Sequence, residues 1–320
     1  IETEVAVSAG LQGEYQYALA TYTVTSLADS GAGSLRQAII DANTSGGADM
    51  IRFDISGTIN LSSALPVISS QITIDATTAP GYAGEPLLRL DGSSVSGNGL
   101  TFANGSDGSS VSGLMIVDFG NHGIQIDTGA DGITITGNWI GTTGSGSSGV
   151  GNSQNGINVQ GANTIIGGTG TYDGNVITNN GNEGINLTGS GATGTIIQGN
   201  IIGLDPDGST GSGNTDVGIA LLSGSHNTTI GGTDPNAGNI ISMNYEGIEI
   251  NSNNNTVQGN YIGTDITGTL DRGNRSDDGI EIQNNATGNL IGGTEEGAGN
   301  LIAFNQLDGV NIVSGSDNAC

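Results

Sequence analysis

The residues best equipped for chemistry are carboxylates, and they gather late in the chain. Glu246, Glu249, Asp277, Asp278, Glu281 and Asp308 fall between positions 246 and 308, with Asp205, Asp207 and Asp216 shortly before them. Two chemistries are open to such a set. Paired carboxylates at a set separation do general acid–base work, as in inverting hydrolysis of a glycoside. Grouped carboxylates with no nitrogen ligand among them instead suit a hard cation, of which Ca²⁺ fits best, and the plainer reading of the same group is a solvated acidic edge that blocks sideways aggregation. Glu246, Glu249, Asp278, Glu281 and Asp308 are the candidate Ca²⁺ corner, and Asp205-Pro206-Asp207-Gly208 is a second candidate loop through Asp205 and Asp207. His122 and His226 stand apart from each other and from Cys320, so no zinc site is indicated.

Charge narrows the partners. The 320 residues include 31 Asp plus Glu against five basic residues, for a net charge of -26. All five are arginines: Arg36, Arg52, Arg89, Arg272 and Arg275. A field of this sign repels nucleic acid, anionic membranes and polyuronates, so none of these is an expected partner. No run approaches the ~18 apolar residues of a membrane helix, and the first ten residues lack the basic-then-apolar layout of a leader. The chain begins at Ile1 and reads as processed or excised from something longer. Its one cysteine, Cys320, is the last residue and has no internal partner.

The elements that position these acids announce themselves as a glycine-aliphatic beat. Gly99-Leu100, Gly123-Ile124, Gly156-Ile157, Gly184-Ile185, Gly218-Ile219, Gly247-Ile248, Gly279-Ile280 and Gly309-Val310 recur every 24 to 34 residues, and long and short intervals alternate. A double unit is confirmed by Ile166-Gly167-Gly168, Ile230-Gly231-Gly232 and Ile291-Gly292-Gly293, which are 64 and 61 residues apart. After each beat the apolar residues alternate, as in Ile185 and Leu187 or Ile248 and Ile250, which is the period of a short strand. Two further short strands per unit, such as Thr195-Ile196-Ile197, complete a turn. Stacked units of three strands predict an all-β, right-handed parallel β-helix of about ten coils, with ~4.8 Å between coils. Asp216 and Asp278 then lie two coils apart, ~9.6 Å of rise, near the upper limit for an inverting carboxylate pair.

The same columns assign the remaining polar residues. Asn180, Asn244 and Asn305 recur at shifts of 64 and 61 and predict an amide ladder at a bend. Gln125, Asn158, Asn186 and Asn311 form an outward amide column that offers hydrogen bonds to a neutral glycan. Trp139 shares its position with Ile201 and Tyr261, and a ring there can stack on a sugar. Ahead of the coils, Ser34-Leu35-Arg36-Gln37 reads as a capping box, and Leu35, Ala38, Ile39 and Ala42 fall on one helical face. The expected organisation is therefore an N-terminal extension and capping segment at 1–48, with a helix at about 34–44, and a β-helix at 49–320. No matching cover is expected at the C-terminal end, which reads as open or cut short. Strand-like pieces at Thr3-Glu4-Val5-Ala6-Val7 and Tyr22-Thr23-Val24 are candidates to pair with the open end of a neighbouring copy.

Over roughly residues 22–316 the chain resembles the bacterial secreted parallel β-helix repeat proteins. Gly33-Ser34-Leu35-Arg36-Gln37-Ala38-Ile39 is similar to their helix-containing entry segment, without the preceding cysteine. Asn289-Leu290-Ile291-Gly292-Gly293-Thr294 and Gly259-Asn260-Tyr261-Ile262-Gly263-Thr264-Asp265 are similar to their repeat motifs. The resemblance implies a bacterial extracellular or surface-anchored protein, commonly a module of an adhesin-like chain. Asn214-Thr215-Asp216 and Asp277-Asp278 are also similar to the two acidic motifs of polygalacturonases, a resemblance that implies Asp216, Asp277 and Asp278 as the candidate catalytic set. Here, however, His122 precedes both motifs, and the Arg-x-Lys substrate clamp of that family is absent from a chain with no lysine. The expected function is thus a structural or adhesive surface module, joined to itself end to end or to cell-surface and matrix glycans. Its alternatives are a neutral-polysaccharide binding module and an inverting polysaccharide-degrading glycoside hydrolase, with the balance set against catalysis.

Overall fold

The computed structural model describes residues 19–147, 149–222 and 224–320. The beat folds into strands of two to five residues, because alternating β-branched side chains fit a pleated surface while Gly and Asn supply the bends. These strands stack in parallel into three sheets. Sheet A has ten strands, from Thr21–Val24 to Leu290–Ile291; sheet B has nine, from Gly57–Asn60 to Leu301–Ile302; sheet C has eight, from Leu100–Phe102 to Val310–Ile312. The chain visits A, B and C in turn, so each circuit is one coil of a parallel β-helix, with ten coils counted along sheet A.

Register places like residue on like. Ile157, Ile185, Ile219, Ile248 and Ile280 pair in succession along sheet C and are fully buried. Each such side chain contributes about 1.5–3 kcal/mol on leaving water, and together they form one continuous core. The bends are held by asparagines, since a corner removes backbone N–H groups from their ladder partners. The expected Asn180, Asn244, Asn305 column is half of a longer ladder, with Asn152, Asn214 and Asn274 filling the intervening coils through amide bonds of 2.8–3.4 Å. A second ladder at the bend between sheets A and B runs through Asn138, Asn175, Asn200, Asn239, Asn260 and Asn300.

Helix α1 spans Leu35–Ser45 and turns Leu35, Ala38, Ile39 and Ala42 into the core against strands Thr21–Val24 and Asp49–Phe53. Ser34 Oγ accepts the Gln37 N–H at 3.2 Å, but the Gln37 side chain donates to Asp41 Oδ1 rather than back to Ser34, so half of the capping box forms. Strand Thr21–Val24, expected to be free for a neighbour, is used internally: it pairs in register with Met50–Phe53 in sheet A. The piece at Thr3–Val7 lies outside the described residues. At the C-terminal end Ile312 and Val313, which close the last strand of sheet C, are exposed, while the chain returns to sheet A. Ala319 bridges to Leu290, and Asn318 Oδ1 accepts from Asn289.

The double unit has a structural meaning. Turns from sheet A to sheet B are short at 137–138, 199–200 and 259–260 and long at 168–175, 232–239 and 292–300, whereas turns from B to C are long in the complementary coils, at 141–156, 203–218 and 263–279. Crests therefore alternate from side to side as the rod ascends.

Candidate functional site

Every coil presents two side chains on the exterior of sheet C, one just before the beat glycine and one two residues after it, and these neighbours meet across a spacing of three. In two of the early coils the pair is neutral and bonded, Asn98 donating to Thr101 at 3.1 Å and Asn155 to Asn158 at 3.4 Å, while His122 stands beside Gln125 and Glu183 beside Asn186. Their columns are bonded too, with Asn158 donating to Gln125 and Asn186 to Asn158, each at 2.8 Å. Gln125, Asn158 and Asn186 are buried. The outward amide column expected to offer itself to a glycan is therefore buried and bonded along Gln125, Asn158 and Asn186, with Asn186 Oδ1 left unpartnered, and Asn311 donates to Asp278.

The chemistry changes at one coil. There the pair is Val217 and Ala220, both buried, and the next coil carries Glu246 and Glu249 in the same two positions. The Gly218 N–H donates to the Glu246 carbonyl, which sets the apolar pair directly beside the carboxyls. Glu246 is 5% exposed, and its Oε1 has no hydrogen-bond partner. Burial, followed by the charges of Glu249, Glu281, Asp277 and Asp278, pushes its carboxyl up to about 9. Glu246 thus holds its proton at neutral pH.

Its neighbours differ. Glu249 Oε1 accepts from Asn251 Nδ2 and Gln283 Nε2, both at 2.7 Å, while no bond engages its Oε2. Glu249 and Glu281 are register partners on adjacent coils. Burial and the charges of Asp277, Asp278 and Glu249 raise Glu281 as well. Glu183, two coils before Glu246, is raised by burial and by Asp216 and Glu249, and its Oε2 is unpartnered. Such an arrangement can donate a proton from Glu246 beside Glu249, whose carboxyl group is held in place by two amides. The three ion pairs among the described residues, Arg36–Asp29, Arg89–Asp91 and Arg89–Asp118, all lie elsewhere.

The expected catalytic set divides. Asp278 is 1% exposed with both oxygens occupied, Oδ1 by the Asp308 N–H at 2.7 Å and Oδ2 by Asn311 Nδ2 at 2.8 Å. Asp277 accepts the Asp278 N–H, and Asp216 lies half-buried near Glu183. Of the cation corner, Glu246, Glu249, Asp278 and Glu281 come together electrostatically while Asp308 is exposed. No group of three or more His, Cys, Asp or Glu among the described residues could hold a metal ion. Asp205 is buried and accepts from Gly146 N–H, whereas the Thr210 and Ser209 N–H groups outweigh the burial of Asp207 and hold it below the usual carboxylate range. Both aspartates act as loop ties. His122 and His226 accept backbone N–H groups through Nδ1, and burial lowers His122. Sequence reasoning passed over Glu183 as a site residue although it stands in the same column, and it gave Val217 no role because an apolar residue has no evident chemistry.

The fold and this face define a parallel β-helix with a proton-holding acidic exterior. No protein-family profile matches the chain. A segment of 86 residues, 27% of this chain, is 40% identical to a probable pectate lyase C of Emericella nidulans, and 98 residues are 38% identical to a probable pectate lyase C of Aspergillus terreus. These segments span 17% and 18% of the relatives' lengths. In structure the chain is similar to an alginate lyase from Paenibacillus, with a TM-score of 0.55 at 15% identity over 94% of this chain and 97% of that one, a likeness of fold. The relatives correct the expectation of a structural or adhesive module, since the curated proteins matched are named as pectate lyases. End-to-end self-association likewise finds no support, one of its two candidate pieces being used in sheet A and the other lying outside the described residues. The fungal source of the relatives does not support a bacterial origin. No helix among the described residues is long and apolar enough to cross a membrane.

Proposed function

We propose that the chain degrades polysaccharide, cleaving glycosidic bonds by carboxyl acid–base chemistry on the exterior of sheet C. The observation that carries this reading is Glu246: a buried carboxyl, protonated at neutral pH, next to Glu249, whose one free oxygen faces no donor. In this scheme Glu246 gives its proton to the glycosidic oxygen as the bond to the anomeric carbon breaks. Glu249 takes a proton from the water that attacks that carbon, and proton exchange with solvent returns Glu246 to the acid form and Glu249 to the base form. The names of the curated relatives support a polysaccharide substrate, and action outside the cell is part of the same proposal. Elimination from a uronate is the less favoured chemistry, because it needs cations to neutralise the sugar carboxylate and this face gathers only acids.

The test is reducing-sugar release from a panel of neutral and acidic polysaccharides, read alongside the ultraviolet absorbance of unsaturated products. Release from a neutral polymer, lost in Glu246→Gln and without new absorbance, is the expected result. Unsaturated products from a polyuronate would replace hydrolysis by elimination, and no turnover on any polymer would overturn the reading.

A further inference from the structure

The alternating crests enclose a groove over a different face. The exterior row of sheet B is Trp139, Val176, Ile201, Ile240, Tyr261 and Leu301, each in register with the next, while the following residue of each strand points into the core. Crests 168–175, 232–239 and 292–300 rise along one side of this row, and Ile266 from the loop 263–279 stands on the other. Between them lies a groove of about 770 Å³ floored by Ile201 and Ile240 and edged by Tyr172, Tyr261, Pro235 and Ile266. The short turns 199–200 and 259–260 are what leave it open.

Three features specify an occupant. The first is charge: in a chain of net charge -26, Asp234 is the one ionisable acid among the twenty residues lining the groove, and no arginine is among them. A polyanion finds no counter-charge there, and a cation finds little to hold it. The second is aromatic surface. Tyr261 is 37% exposed and Tyr172 is 61% exposed. Tyr172 is held at a φ of 71°, a conformation costly for a bulky residue, with its ring close over Gly84, where a Cβ would meet ring atoms at 2.4–2.7 Å. Such rings offer flat apolar faces to the C–H face of a pyranose. The third is period. Crests recur every two coils, ~9.6 Å, about the length of one disaccharide in an extended chain.

We propose that this groove binds an extended neutral glycan lying along the rod over sheet B, one disaccharide per double coil. Tyr172 and Tyr261 stack on its sugars. The site is separate from the acidic exterior of sheet C and does not depend on hydrolysis there. It would hold the polymer on the rod whether or not the bond-breaking reading stands.

The test is affinity electrophoresis of the whole chain through native gels containing a soluble β-1,4-linked galactomannan, with polygalacturonate as the charged counterpart and light scattering in parallel. The wild-type chain is expected to be retarded by the neutral polymer and not by the polyanion. Tyr261→Ala and Tyr172→Ala should each weaken retardation about 5- to 10-fold, with melting temperature and far-ultraviolet circular dichroism unchanged, whereas Glu246→Gln should leave it intact. Retardation indifferent to both tyrosine substitutions, or none on the neutral polymer, would overturn the proposal. So would a dimer that Tyr261→Ala dissociates, which would make the groove an interface between copies. Retained binding with no sugar release would sink the hydrolytic reading alone.

Discussion

Replacing Glu246 by glutamine keeps the shape of the side chain and removes its titration. In the folded chain this carboxyl is moved from 4.5 to about 9. An unfolded chain gives up the proton near 4.5, so between the two values the folded state binds one proton more, and stability falls as pH rises. The stabilisation is complete below 4.5 and lost as pH passes through about 9. At ~1.4 kcal/mol per pH unit the loss between pH 4.5 and 8 is at most about 5 kcal/mol, and solvent relaxation around a buried group cuts this to roughly half. Wild type should therefore lose about 2–3 kcal/mol of stability over that range that Glu246→Gln keeps. For a chain of this size this is on the order of 5 °C in melting temperature. Calorimetric scans of both proteins at pH 4.5, 6, 7 and 8 give the comparison directly. Glu183 and Glu281 are raised as well and titrate in both proteins, so the difference between the two curves isolates Glu246. Curves that run parallel within 1 °C across the range would refute the reasoning, because Glu246 would then be no more buried or crowded than an exposed carboxylate.

Val217→Asn restores at that position the residue type found at Asn155, giving Glu246 a polar neighbour; its proton should leave about one pH unit earlier, and the alkaline limb of sugar release should shift down with it, whereas an unmoved limb would clear Val217 of that role. Asn200→Ala removes donors to Ile166, Gln198 and Asn239 and an acceptor for Asn175, and should cost about 2–4 kcal/mol in urea unfolding; a change under 0.5 kcal/mol would mean that the ladder is decorative. Ser34→Ala should cost about 1 kcal/mol through the lost cap of α1, measurable in the same way. Because both Asp278 oxygens are already taken by N–H donors, chelator should leave the melting temperature in place, and a rise of several degrees on adding Ca²⁺ would reinstate a cation at the acidic corner.

The β-helix was legible in the sequence because its information is local and repeated. Glycine before an aliphatic residue, alternation over three residues and asparagine at each corner are demands that one coil makes of its own backbone, and the stack restates them coil after coil. The apolar face of α1 and the Asn180, Asn244, Asn305 ladder were legible for the same reason. Which acids matter was only partly so. The column containing Glu246, Glu249, Asp278 and Glu281 could be drawn from spacing alone, but spacing treats these carboxyls as equals. Only the tertiary structure separates them, because protonation depends on what lies across the coil boundary: Val217 and Ala220 beside Glu246, two amides on Glu249, an N–H and an amide closing Asp278. The double unit shows the same division. Sequence determined that long and short intervals alternate, while the placement of those lengths on opposite sides of sheet B, and hence the groove between the crests, was decided by stacking, since a loop acquires a neighbour only when the coils above and below it are in place.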